Sequence, residues 1–249
     1  MIAWILEDIL KITEGFHQTS TVDNLKDQSV TFANNIEWFQ KLFNTDKEVF
    51  TLIPFDLKEF DLPEEVAKKI RPIATPKLTE IFVLFHNKVN ESRLPKCNVW
   101  GENTKLHESM VVCDGMRYIK TDNGPVFMKH MGNVVIGNGV EIGPYSIIHR
   151  ATIDSTTIED NVKIGSLVNV GHNVVIGEGT FITPHVTIGG STKIGRNCWV
   201  GMNSTIRDHI SICEGVKIGM GSVVTKSIIT RGVYLGCPAK RIGDWDGSI

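Results

Sequence analysis

The chain has 249 residues, enough for one large or two modest domains. Its 26 basic and 28 acidic residues leave a net charge of −2, which offers no general electrostatic case for nucleic acid. Hydrophobic content is 41%, no apolar stretch approaches a membrane span, and five cysteines lack CxxC spacing, so a reduced cytoplasmic protein is expected.

Residues 1–15 open on an apolar run that meets Glu7 and Asp8 at once. With no basic start and no small-residue cleavage site they read as an amphipathic helix ending at Gly15, not as a signal peptide. Glu37 to Phe43 reads as helix, and Glu48 to Ile53 as a strand stopped by Pro54. Pro63 to Ile70 and Pro76 to Asn87 read as two more helices, each entered through a proline. This gives a small α/β domain over residues 1–95.

Residues 96–232 carry a different signal. Weak six-residue spacing begins at Trp100, Leu106 and Val112, then breaks at an excursion over 113–133. That stretch contains Asp114-Gly115 and Asn123-Gly124-Pro125, and reads as a loop or hairpin. Spacing resumes at Ile136, Ile142 and Ile148, and one residue is read as dropped before Ile158, with Ile153 holding the aliphatic place. From Ile158 to Val224 every sixth residue is Ile or Val. The next position is mostly glycine (Gly165, Gly171, Gly177, Gly189, Gly195, Gly201, Gly219), and the fifth is small or β-branched in nearly every hexad. No helix repeats on six. A parallel β-helix does, because each short strand points one aliphatic side chain inward at a fixed place, and three hexads close one triangular turn. Residues 233–249 remain as a C-terminal tail.

A β-helix does not define a chemistry, so the outward side chains must. His172 follows Gly171 at the third hexad position, where the inward phase makes no demand on it. One 18-residue turn later stands Gly190. A base beside a bare backbone N–H suits acyl transfer to an amine, which needs a proton removed and an oxyanion held. A polar turn residue is the plainer alternative for His172.

Asn169-Val-Gly-His-Asn-Val-Val-Ile-Gly and Ile188-Gly-Gly-Ser-Thr-Lys-Ile-Gly resemble the left-handed β-helix N-acyltransferases of nucleotide-linked amino sugars. Val126-Phe-Met-Lys-His-Met-Gly-Asn is similar to the UDP-acylglucosamine branch of lipid A synthesis. Gly232-Val-Tyr-Leu-Gly-Cys-Pro-Ala-Lys-Arg is similar to the acetyl-CoA branch acting on amino-dideoxy sugars. The resemblance implies a mainly β fold, a left-handed parallel β-helix of hexapeptide repeats behind a small α/β domain. It implies His172 as general base and Gly190 as the donor near the thioester carbonyl. Gly189, His209, Lys226 and Lys240 fall where such enzymes hold the acyl donor, and Arg241 lies beside the last of these. Phe32 and Trp38 correspond to two aromatics that sandwich a uracil, with Asn34 between them.

The lipid A branch has Asp-Asn where this chain has Gly165-Ser166, so Asp154, one turn before His172, is the substitute partner for the base. The expected activity is acyl transfer from acyl-CoA, as co-substrate, to the amine of a dTDP- or UDP-linked amino-deoxy sugar in surface-glycan biosynthesis. No permanently bound cofactor, metal or nucleic acid is expected, and the resemblance implies a homotrimer with active sites between subunits. The alternative within enzymes is the acyl carrier protein-dependent lipid A acyltransferase, opposed by a short coil and a chain that stops soon after it. A metal-dependent hydratase of the γ-carbonic anhydrase kind needs closely spaced histidine pairs, which His107, His130, His149, His172, His185 and His209 do not supply. A non-catalytic β-helix is the remaining reading.

Overall fold

The computed structural model describes residues 9, 13, 18–20, 25, 29–33, 42, 47–53, 70–75 and 77–247. Two compact units emerge, Met1–Leu94 with Met116–Lys129, and Pro95–Gly115 with His130–Ile249. Most of the excursion therefore groups with the first unit. Within it Tyr118–Thr121 and Gly124–Phe127 pair as an antiparallel hairpin, the Thr121 hydroxyl donating to the Gly124 carbonyl at 2.7 Å.

The first unit holds a parallel sheet of β1 (Gln18–Thr19), β2 (Ser29–Phe32), β3 (Val49–Ile53) and β4 (Ile70–Ala74), in that spatial order. All five residues of β3 are buried. A strand covered on both faces is apolar without alternation, which is why Val49–Ile53 is legible and its neighbours are not. The helix expected from Pro63 to Ile70 is corrected at its end: Ile70 opens β4, and residues 63–69 lie outside the described residues. Pro72 is accepted in β4 because this is an edge strand, where a missing N–H breaks no ladder on its open side. Helix α1 (Leu78–Val89) stands where Pro76–Asn87 was read, entered through Lys77 in the left-handed conformation. Of the helices read over 1–15 and 37–43, Ile9, Thr13 and Leu42 alone are described; the Thr13 N–H donates to the Ile9 carbonyl, one helical turn earlier, at 2.9 Å.

His86 on α1 is buried between two partners. The Lys129 carbonyl can only accept, so Nε2 donates to it at 3.0 Å, and the Thr19 hydroxyl donates to Nδ1 at 2.7 Å. Burial drives this imidazole down to about 4 from 6.5, against the opposing pull of the Lys129 carbonyl.

The second unit is the left-handed β-helix. Its three faces are sheets of six, eight and six strands. Neighbouring turns pair in parallel, stacking Ile158, Ile176, Ile194 and Ile212 on one face. Ile164, Ile182, Val200 and Ile218 stack on the second, and Val170, Ile188, Ile206 and Val224 on the third. All twelve are at most 4% exposed. The fifth positions fill the remaining interior, and their buried hydroxyls are satisfied by carbonyls of the following turn: Thr180 on Gly195, Thr192 on Arg207, Ser204 on Gly219. The fourth position turns the corner at positive φ, which explains Asn161, Asn173, Gly179, Asn197, Asn203, Gly215 and Gly221.

Two expectations change here. Ile148 and Ile158 are the inward strand residues of two successive, adjoining faces, since Ile148 pairs with Val170 and Ile158 with Ile176. Ten residues separate them where six are usual (158 − 148 against the regular hexad), so the corner gains four residues instead of losing one. Nor is 233–249 a free tail. Gly232–Leu235 pairs in parallel with Val216–Ile218, and Lys240–Gly243 returns antiparallel to extend the eight-stranded sheet.

Two outcomes are expected. Ile182→Ala lowers the unfolding free energy of the second unit by about 2–5 kcal/mol in urea titration, whereas Thr187→Ala on the exposed face changes it by less than about 0.5 kcal/mol. For the first unit, the unfolded chain takes up a proton at His86 below pH 6.5 that the folded unit refuses until about 4. Stability from His86 is thus complete above 6.5 and falls by about 3 kcal/mol on acidification to 4. Urea midpoints measured across that range should drop more steeply for the wild type than for His86→Gln.

Candidate active site

The corner at His172 is built by glycines. A Cβ placed on Gly171 would lie 2.6 Å from the Gly190 nitrogen, and one on Gly189 would lie 2.4 Å from the Asp208 nitrogen. Successive turns can pack at this corner because those positions are bare. The levels are tied by the backbone, the Ser191 N–H donating to the His172 carbonyl at 2.8 Å and the His209 N–H to the Gly190 carbonyl at 2.9 Å. Among the described residues no backbone carbonyl accepts the Gly190 N–H.

The imidazole of His172 is half-buried and leans along the coil toward the next turn. A Cβ on Gly190 would sit 2.7 Å from His172 Nε2 and 2.9 Å from Cε1, so glycine is what lets the ring occupy this place. At the other nitrogen, Nδ1 is 3.0 Å from Asn173 Oδ1. That same oxygen takes the Thr152 N–H at 3.0 Å and the Thr152 hydroxyl at 3.1 Å. A second histidine, His130, is 2% exposed and meets the His172 ring edge-on, with centroids 5.6 Å apart and planes at 75°. Gly115 closes over both; its Cβ would be 2.9 Å from His130 Nε2 and 3.3 Å from His172 Cβ.

Asp154 stands three residues before Thr157, as His172 stands three before Val175, and Thr157 pairs with Val175. The enlarged corner therefore keeps Asp154 on the turn preceding His172. The same register sets Asp208 and then Lys226 above Gly190 at this corner. His209 is exposed, in the left-handed conformation at φ 54°, with Nε2 3.9 Å from Asp208 Oδ2. His185 also turns a corner at positive φ, a conformation histidine takes more readily than most residues. His149 places Nδ1 3.2 Å from the Asp114 carbonyl, and the neighbouring Arg150 Nε is 2.9 Å from Asp114 Oδ1 in a charge contact without hydrogen-bond alignment. Lys226 and Lys240 are both exposed.

In the first unit Phe32 is half-buried, its ring tilted against the buried Phe82 with centroids 4.6 Å apart. Trp38 and Asn34 lie outside the described residues. Among the described residues no three His, Cys, Asp or Glu side chains gather as a metal site. None of their helices is long and apolar enough to cross a membrane. A surface concavity of about 320 Å³ lined by Lys105, His107, Glu141 and Ile164 contains none of the site residues.

Nothing in the sequence assigns Asn173, Thr152, His130 or Gly115 to this site. Asn173 hides among the corner asparagines. Thr152 and His130 arrive through the enlarged corner and the excursion, neither of which has a repeat to mark it.

The family of bacterial transferase hexapeptide repeats (six repeats) matches residues 155–190 and 191–226. These residues lie within the three-faced coil, so the match and the fold agree over that part of the chain. The UDP-3-O-acylglucosamine N-acyltransferase of Saccharophagus degradans is 47% identical over 142 residues, 56% of this chain and 42% of the relative. UDP-3-O-acylglucosamine N-acyltransferase 2 of Legionella pneumophila is 39% identical over 85 residues, 34% of this chain and 25% of the relative. The chain thus spans less than half the length of these curated relatives. The solved UDP-N-acetylglucosamine O-acyltransferase of Moraxella catarrhalis superposes with a TM-score of 0.52 at 20% identity, over 57% of this chain and 55% of that one, a likeness of fold alone.

Gly190 has no positive φ, so Gly190→Ala should fold with a transition close to that of the wild type. Its methyl group must push the imidazole aside. A structure of the variant with His172 unmoved would count against the tight packing described here.

Proposed function

We propose that the protein transfers an acyl group to the amine of a UDP-linked acylglucosamine-type sugar. The observation that carries this reading is the apposition of His172 Nε2 to Gly190, whose N–H no backbone carbonyl claims among the described residues. The similarity to UDP-3-O-acylglucosamine N-acyltransferases supports the UDP-acylglucosamine substrate over a dTDP-linked dideoxy sugar.

In the proposed reaction the sugar amine attacks the thioester carbonyl, forming a C–N bond. His172 takes the proton that the amine sheds, and the Gly190 N–H meets the charge growing on the carbonyl oxygen. Collapse breaks the C–S bond, and the proton held by His172 goes to the departing thiolate. No covalent enzyme intermediate is required. An acyl carrier protein is the donor that goes with the lipid A branch, and acyl-CoA is the competing donor. His209, Gly189, Lys226 and Lys240 are proposed on the donor side, and Phe32, Trp38 and Asn34 on the nucleotide side, where stacking on a base contributes about 1–3 kcal/mol. Assembly as a cytoplasmic homotrimer with sites between subunits belongs to the same proposal.

The test is turnover read by mass shift. Purified protein should acylate UDP-3-O-acylglucosamine from acyl carrier protein, and His172→Ala should lose about 10²–10⁴-fold in rate. Activity confined to dTDP-amino sugars with acetyl-CoA would restore the other branch. Full activity in His172→Ala would remove the mechanism.

A further inference from the structure

We propose that Asn173, its amide locked by Thr152, is the positioning residue that holds His172 with the proton on Nδ1 and the lone pair on Nε2, facing Gly190. This deepens the acyl-transfer reading and rests on it for its meaning, though not for its measurement.

The proton assignment follows from one unambiguous donor. The Thr152 backbone N–H can only donate, and its partner on Asn173 at 3.0 Å is therefore the side-chain oxygen, not the amide nitrogen. The Thr152 hydroxyl adds a second hydrogen to that oxygen at 3.1 Å. An amide oxygen cannot donate, so His172 Nδ1, at 3.0 Å from it, must carry the hydrogen. A neutral imidazole protonated at Nδ1 is basic at Nε2, the atom that lies against Gly190. A ring with the opposite tautomer would present a hydrogen there and could take no proton from an amine.

The clamp is fixed from several sides. The Asn173 N–H donates to the Thr156 hydroxyl at 2.9 Å, and that hydroxyl donates to the His149 carbonyl at 2.7 Å. Thr152 is 7% exposed, and its carbonyl takes the Met131 N–H at 2.9 Å. Thr152 belongs to the enlarged corner between Ile148 and Ile158, which gives that insertion a purpose: a regular six-residue corner has no residue to spare for the amide. His130 packs edge-on and sets the plane of the ring. A neutral amide thereby does the orienting for which the resemblance implies a carboxylate such as that of Asp154.

The experiment uses the full chain labelled with 15N-histidine, the His172 signal being assigned from its loss in His172→Gln. Without substrate at neutral pH, the wild type should show a pyrrole-like Nδ1 and a pyridine-like Nε2. Asn173→Gly keeps the backbone freedom that φ 59° demands and removes the amide. The ring should then relax toward Nε2–H, and turnover should fall by about 10-fold or more with KM for the sugar changed less than about 2-fold. Asn203→Gly, at the same hexad position elsewhere, should leave both unchanged. Nε2–H in the wild type overturns the proposal, as does an unaltered tautomer in Asn173→Gly. Loss of Nδ1–H in Asp154→Asn alone transfers the role to Asp154 and equally overturns it. If the tautomers behave as stated and no nucleotide sugar is acylated, the functional reading fails and the clamp stands.

Discussion

Everything in the second unit depends on one register. Each inward Ile or Val must lie on the residue one turn before it, because the interior is filled by three stacks of these aliphatic side chains with the small fifth-position residues between them. A slip of one residue would turn a whole strand's apolar side chain outward and bring a polar one in. The pairing of Ile164 with Ile182, Val200 and Ile218 shows the register held over four turns without a break. Short two-residue strands suffice because the ladder, not strand length, supplies the cooperativity.

The candidate site exists where that constraint relaxes. The third and fourth positions of a hexad are not called inward by the repeat, so their residues are chosen by conformation and clearance. Gly171, Gly189 and Gly190 let adjacent turns approach, and Asn173 accepts positive φ. His172 then occupies the space Gly190 leaves. The four extra residues before Ile158 are a departure of the coil from its period beside this corner. They deliver Thr152 to Asn173 without disturbing the pairing of Ile158 with Ile176.

The first unit follows other rules. Its strands are parallel, β3 is buried along its whole length, and β1 has only two residues, so alternation and length announce little of the sheet. Val49–Ile53 was readable as an apolar run ended by a proline, while Ile70–Ala74 was masked by the helix-like stretch before it and by Pro72 within it. Phe32 could be marked as a candidate for base stacking from the sequence, yet its contact with Phe82 is a product of the packed sheet and helix.

The sequence by itself determined the β-helix, the inward column and the 18-residue spacing of His172 and Gly190, because a strict period converts residue number directly into position. It could not determine which way the imidazole leans, what holds its Nδ1, or that the corner between Ile148 and Ile158 gains four residues. Those outcomes rest on contacts that no period records: Thr152 reaching Asn173 from an irregular corner, and His130 and Gly115 brought to the same ring by a chain that leaves the coil and returns. Tertiary structure decided them because each joins a repeating segment to a non-repeating one, and only closure of the coil fixes the distance between the two.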